Sequence, residues 1–146
     1  MKMIKIKPMQ VIGECPAGLN LEDEFQIDGM RLENPPASRL CFLALSQIPL
    51  GQGIWQLQND ERFFSHVSCP SCTLRPDREN RVTFLLGHAD KWRLCQLISE
   101  YLILSKELGE SPAAIEAKKK AIAWQEQGNY LQAEKAMEIA HRELKK

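Results

Sequence analysis

The sequence lacks an excess of charge of either sign. Its 19 Lys and Arg residues balance its 19 Asp and Glu residues, so the formal net charge is zero. A nucleic-acid-binding domain normally carries a basic stripe on one face, whereas the basic run Lys118 to Lys120 is only three residues long. We therefore expect no nucleic acid among the partners of this protein.

Long apolar runs are also absent. The most apolar stretch, "LCFLALSQIPL" (40–50), contains Pro49 and is shorter than the roughly 18 residues that cross a bilayer. The start, "MKMIKIKPMQVIG", alternates apolar and basic residues and has no continuous apolar core of about 7–15 residues before a cleavage site. These features predict a cytoplasmic protein without membrane contact.

Familiar catalytic patterns are missing as well. The "GQG" at 51–53 does not continue into a phosphate-binding loop. Asp23 and Glu24 are adjacent, so on a strand their side chains point to opposite faces and cannot act as a carboxylate pair. His88 and His141 have no companions at ligand spacing, and we expect both at the surface. No substrate is indicated, and a non-catalytic role is favoured over an enzyme.

The first part of the chain, residues 1–88, has the pattern of short strands and turns. "MIKIKPMQVIG" alternates with period two, and Pro8 predicts an edge strand or a bulge there. Asp28–Gly29 is a hairpin signal between two strands, and "RFFSHVSC" and "RVTFLLG" are further strand candidates. Ser38 could cap a helix over 39–48, which Pro49 and Gly51 would end.

The second part, residues 89–146, has apolar residues at helical spacing. Gly109 predicts the end of a first helix, Ser111–Pro112 the start of a second, and Gly128–Asn129 the boundary before a third. No linker rich in Gly, Pro or Ser divides the parts. The fold class expected is α+β: a small, mainly antiparallel sheet with one short helix, then a C-terminal helical hairpin or three-helix extension.

Cysteine is the residue type that most suggests a site. The chain has five, and in a reducing compartment clustered cysteines more often bind metal or do redox work than form disulfides. "SCPSCTLRPD" (68–77) sets Cys69 and Cys72 at CxxC spacing. Together with Cys15 and Cys41, each next to a predicted turn, they make a possible four-thiolate site for tetrahedral zinc. His66 is a possible substitute ligand.

Other interpretations of the cysteines stay open. An exchangeable CxxC dithiol normally begins a helix, but Pro76 disfavours helix at Arg75. An iron–sulfur centre on the same ligands would make the protein a redox accessory. Cys15 and Cys41 could instead be small buried apolar residues, which is the role we expect for Cys95 on its helix. If the metal interpretation is right, the other four cysteines approach one another in space.

Three segments carry a family resemblance: "GECPAGLNLEDEF" (13–25), "LCFLALSQIP" (40–49) and "SCPSCTLRP" (68–76) followed by "VTF". As an ordered set over residues 2–87 they resemble a family of small cysteine-containing prokaryotic proteins without an assigned activity. The resemblance implies that Cys15, Cys41, Cys69 and Cys72 belong together, and it implies no reaction. Glu22 departs from a glycine common in that family, and "DREN" (77–80) separates the Arg-Pro from its strand.

The C-terminal segment "QGNYLQAEKAMEIA" is weakly similar to the second helix of a tetratricopeptide hairpin. Such arrays need about three repeats, so an ordinary helical hairpin is favoured. We expect the segment from Ser111 to Lys146 to be an interaction element that joins a homo-oligomer or binds a dedicated protein partner. The alternative is that the hairpin packs back on the preceding helix, residues 90–108, and completes the monomer.

Overall fold

The computed structural model describes residues 2–15, 18–29, 31–33, 48–59, 64–69 and 80–146. The chain divides into two compact units, Met1–Asp90 and Lys91–Lys146. The first unit is built on an antiparallel sheet and the second consists of helices. The predicted α+β class is therefore confirmed.

The sheet of the first unit has five strands in the order β3-β2-β1-β5-β4. Each neighbouring pair is antiparallel. The strands are β1 (Met3–Ile12), β2 (Phe25–Asp28), β3 (Arg31–Glu33), β4 (Phe64–Ser68) and β5 (Arg81–His88). The hairpin expected at Asp28–Gly29 is present, and Gly29 has the positive φ of 62° that such a turn requires.

Strand β1 lies between β2 and β5, so of the two alternatives that Pro8 predicted, an edge strand or a bulge, the edge position is excluded. The predicted alternation of apolar and polar residues along β1 is nevertheless present, because Ile4 and Ile6 are completely buried on one face of the sheet. Pro8 has no N–H for the ladder, and the register between β1 and β5 shifts between Pro8 and Gln10. The irregularity, which the sequence also predicted, is how a central strand accommodates this proline.

One helix, α1 (Ile48–Gln58), lies on the apolar face of the sheet. Helix α1 was not predicted from the sequence: Pro49 lies in its first turn, where a missing N–H costs no intrahelical bond. The rest of the predicted helix over 39–48 lies outside the described residues. A β-carbon placed on Gly53 would lie 3.2 Å from Val67 Cγ2 and 3.3 Å from Leu86 Cδ2, so glycine permits the close approach of α1.

The core of the first unit lies between α1 and this face. It contains Ile4, Ile6, Leu19, Phe25, Leu57, Val67, Val82, Phe84 and Leu86. The partly buried side chains packed against it include those of Cys15 and Cys69. Two of the four cysteines predicted as ligands thus border the same core.

The second unit contains α2 (Trp92–Leu108), α3 (Pro112–Glu126) and α4 (Tyr130–Leu144), after a short 3-10 turn (Ala89–Lys91). Their ends follow the predicted signals. Gly109 ends α2 with φ of 75°, the Ser111 side chain accepts the Ala114 N–H, and the Asn129 side chain accepts the Gln132 N–H. Within the described ranges, no helix has the length and apolar character needed to cross a membrane.

The seam between α3 and α4 is formed mainly by small side chains. The buried positions are Ala114, Ala117, Ala121, Ala133, Ala136, Met137, Ala140 and Leu144. The hairpin also packs on α2, where the His141 imidazole is 2.8 Å from the Leu97 carbonyl oxygen and edge-on to the Tyr101 ring. Packing of the hairpin against the preceding helix is therefore observed.

A carboxylate joins the start of α3 to α2. Glu110 accepts hydrogen bonds from the buried Tyr101 hydroxyl at 2.6 Å and from the Lys118 ammonium at 2.7 Å. The bonds from Lys118 and Tyr101 lower the pKa of Glu110 below its ordinary value. Burial and the bond to Glu110 raise the pKa of Tyr101. The ionised carboxylate is thus the form that the fold favours.

We expect this cluster to make the second unit sensitive to acid. Because the folded pKa of Glu110 is depressed, its contribution is fully present above the unfolded value of about 4.3 and is lost as the pH falls through the folded pKa. Glu110→Gln should remove this part of the acid dependence, measured by circular dichroism during an acid titration. Glu107→Gln, a change at an exposed glutamate of α2, is the matched control. Equal acid profiles for the two variants would contradict the assignment.

Candidate metal centre at one end of the sheet

The end of β1, the start of β5 and the end of β4 all lie at one end of the sheet. The register pairs Ile12, the last residue of β1, with Arg81, the first residue of β5. On the other side of β5, Ser68 at the end of β4 pairs with Thr83. The segments that follow β1 and β4 therefore leave the sheet at the same end, and these segments carry Cys15 and Cys69.

Cys69 continues the ladder for one residue past β4. Its N–H donates to the Val82 carbonyl oxygen at 2.9 Å. The Val82 N–H donates in return to the Cys69 Sγ at 3.0 Å, so the sulfur takes the position that a carbonyl oxygen has in a regular antiparallel pair. A thiol is a weak acceptor, and an amide directed at sulfur is typical of thiolates that bind metal, whose properties such hydrogen bonds tune.

Cys15 follows β1 by three residues. Its carbonyl oxygen accepts the N–H of Gly18 at 2.8 Å, and Gly18 has a positive φ of 74°. The next residue, Leu19, is buried in the core. Val11, which faces Val82 across the ladder, is two strand spacings or about 10 Å from Cys69. Cys15 and Cys69 thus pack against the same apolar core.

Helix α1 begins towards this end of the sheet. Its last residues are held at the opposite end, where the Leu57 carbonyl oxygen is 2.9 Å from His88 Nε2 and Gln58 donates to the Gly29 carbonyl oxygen at 2.7 Å. At Gly53 the helix passes over the middle of the sheet, next to Val67 and Leu86. The five residues from Gly53 back to Ile48 extend about 7 Å farther towards the cysteines.

The other two predicted ligands, Cys41 and Cys72, lie outside the described residues. Cys41 is seven residues before α1, and Cys72 is three residues after Cys69. Within the part of the chain that the structure describes, no three His, Cys, Asp or Glu side chains are grouped so as to hold a metal ion. Cys95 is fully buried on α2 of the second unit, in the core role expected for it.

Two histidine interpretations change with the structure. Strand alternation places Val67 and Cys69 on the core face and His66 on the other face, where its ring meets Phe64 edge-on. His66 is therefore not placed as a substitute ligand. The expectation that His88 lies at the surface was wrong, because it is only 3% exposed and joins β5 to α1 at the end of the sheet away from the cysteines.

The group that sequence reasoning missed is the backbone N–H of Val82. It contacts Cys69 across thirteen residues of chain, so no local motif reveals it. The period-two pattern of "RVTFLLG" predicts a strand, but pairing of Val82 with Cys69 depends on the register between β4 and β5.

Comparisons with family models, with curated proteins and with solved structures found no match to this chain. The family resemblance over residues 2–87 therefore stays a prediction, and the candidate site depends on the geometry of the sheet end alone.

Proposed function

We propose that Cys15, Cys41, Cys69 and Cys72 bind one zinc ion, and that the protein is a non-catalytic, cytoplasmic metal-binding and protein-interaction module. The observation that carries the proposal is the Val82 N–H donated to the Cys69 sulfur. Tetrahedral zinc needs four ligands of this kind, and the ion would tie the segments after β1 and β4 to the segment before α1.

Two further observations support a shared site. Cys15 and Cys69 border one core on the same face of the sheet, and α1 starts towards that end, which limits how far the preceding segment with Cys41 has to reach. Cys72 lies within three residues of Cys69, a span of at most about 11 Å when fully extended. All four thiols therefore belong to segments that start or end near one end of the sheet.

The interaction part of the proposal concerns the second unit. Because alanines form the seam between α3 and α4, larger apolar side chains remain outside it: Leu131 is 62% exposed, and Ile122 and Ile139 are both almost half exposed. These side chains are available to a protein partner or to a second copy of the chain. The proposed module thus has a metal-stabilised sheet unit and a helical docking unit.

Metal analysis of the purified protein tests the proposal. We expect one zinc per chain and a colourless protein, and cobalt substitution should give the visible bands of tetrahedral thiolate coordination. Cys69→Ser should lose the metal, and Cys95→Ala, the matched control, should retain it. A brown protein that contains iron would favour the redox accessory with an iron–sulfur centre. A protein without metal, or one whose metal survives Cys69→Ser, would overturn the assignment.

A further inference from the structure

Strand β3 forms one edge of the sheet and is exposed along its whole length. Its three residues, Arg31, Leu32 and Glu33, are all exposed, and Leu32 is a large apolar side chain with 46% of its surface accessible. In the strand order of the described residues β3 pairs with β2 alone. An edge strand of this kind is a template for pairing with another strand.

The hairpin register decides which backbone groups face outward. Two residues connect Asp28 to Arg31, and a two-residue connection closes on a hydrogen-bonded pair. Hydrogen-bonded and non-hydrogen-bonded pairs alternate along an antiparallel ladder, so the Ile27–Leu32 pair is of the second kind. The N–H and the carbonyl of Leu32 therefore point away from β2, towards the open edge.

The side chains of β3 in one copy of the protein are complementary to those of β3 in a second copy. When two copies of Arg31–Leu32–Glu33 run antiparallel with Leu32 at the centre, the two Leu32 residues exchange both backbone hydrogen bonds. Arg31 then stands opposite Glu33 of the second copy, and Glu33 opposite Arg31. These flanking pairs are of the non-hydrogen-bonded kind, in which cross-strand side chains are closest.

The apolar face would also continue across the pairing. Ile4, Ile27 and Leu32 are successive partners across β1, β2 and β3, and the first two belong to or pack against the core. Leu32 is the exposed end of this row. Pairing of two copies would place one Leu32 beside the other and join two such rows into one.

We infer that the β3 edge is a homodimer interface, in which two copies pair antiparallel about Leu32 to form a continuous ten-stranded sheet. The interface consists of β3, which contains none of the four proposed ligands and no residue of α3 or α4. Because only a short strand is buried on each side, and stable interfaces usually bury more than about 1,000 Å², the dimer exchanges rapidly and depends on protein concentration.

Charge-swap variants test this interface by sedimentation velocity over a range of concentrations. Arg31→Glu turns both flanking cross-strand pairs of the dimer into pairs of two glutamates, and Glu33→Arg turns both into pairs of two arginines, so each should weaken dimerisation roughly tenfold. The double variant R31E/E33R restores opposite charges and should dimerise like the wild type. A mixture of the two single variants should form a mixed dimer, because each supplies the charges that the other lacks.

Leu131→Glu on α4 is the matched control, since it adds a charge to the other proposed docking surface. It should leave the β3 dimer intact, and it would abolish a dimer formed through the helices. A wild-type protein that stays monomeric at every concentration, or single variants that dimerise like the wild type, would overturn the inference. Metal content is expected to stay unchanged in all these variants, so failure here is distinguishable from failure of the zinc assignment.

Discussion

Replacing Cys69 and Cys72 together by serine should unfold the first unit, and a strong chelator should have the same effect on the wild-type protein. Structural zinc contributes an apparent binding free energy of about 10–16 kcal/mol in small zinc domains, which is comparable to the whole stability of a domain, about 5–15 kcal/mol. Thermal unfolding followed by circular dichroism, with and without chelator, measures the effect.

Cys95→Ala is the control for this experiment, because Cys95 is a buried thiol of the second unit. It should change the melting curve only modestly and leave its response to the chelator intact. An identical melting curve of the wild-type protein with and without chelator would contradict a structural metal. Cys15 and Cys69 would then be half-buried side chains at the margin of the core.

Replacing Gly53 by leucine should destabilise the first unit by about 1–3 kcal/mol or more. The β-carbon alone would approach Val67 and Leu86 to 3.2 and 3.3 Å, so the remaining atoms of leucine have no space unless α1 moves off the sheet. Urea unfolding of the variant measures this change in the free energy of unfolding.

Two further variants make the Gly53 test specific. Val67→Ala in the Gly53→Leu background removes the methyl group that is approached most closely, and should restore part of the lost stability. Trp55→Leu changes an exposed position of the same helix, where the side chain is 56% accessible, and should have little effect. If Gly53→Leu unfolds at the same urea concentration as the wild type, α1 does not pack on the sheet at this glycine.

Local signals in the sequence predicted the helical unit closely. Gly109, Ser111 and Asn129 act through backbone groups within a few residues of themselves, so the helix ends follow directly from them. Helix α1, which begins at Ile48 with Pro49 in its first turn, was not predicted. A proline is compatible with a first turn as well as with a helix end, and the residues around it do not distinguish the two.

Features that depend on pairing between distant segments were harder to predict. The central position of β1, the burial of His88 and the hydrogen bond from Val82 to Cys69 all depend on strand order and register. A period-two pattern identifies a strand and its faces, but it does not identify its neighbours. The same limit applies to the site: the grouping of four cysteines stays a prediction from the sequence, and the sequence did not predict that Cys15 and Cys69 follow strands that end at the same end of the sheet.

The place of β1 between β2 and β5 has a consequence for how the protein is made. Among the described strands β1 leaves the ribosome before the other four, but it cannot be enclosed until β5, which ends at His88, has followed. At about 5–20 residues per second, the 76 residues that follow Ile12, up to and including His88, take roughly 4 to 15 seconds to synthesise. During that time one side of β1 has no strand beside it, and its buried isoleucines, Ile4 and Ile6, are the part of the nascent chain that a chaperone would have to protect.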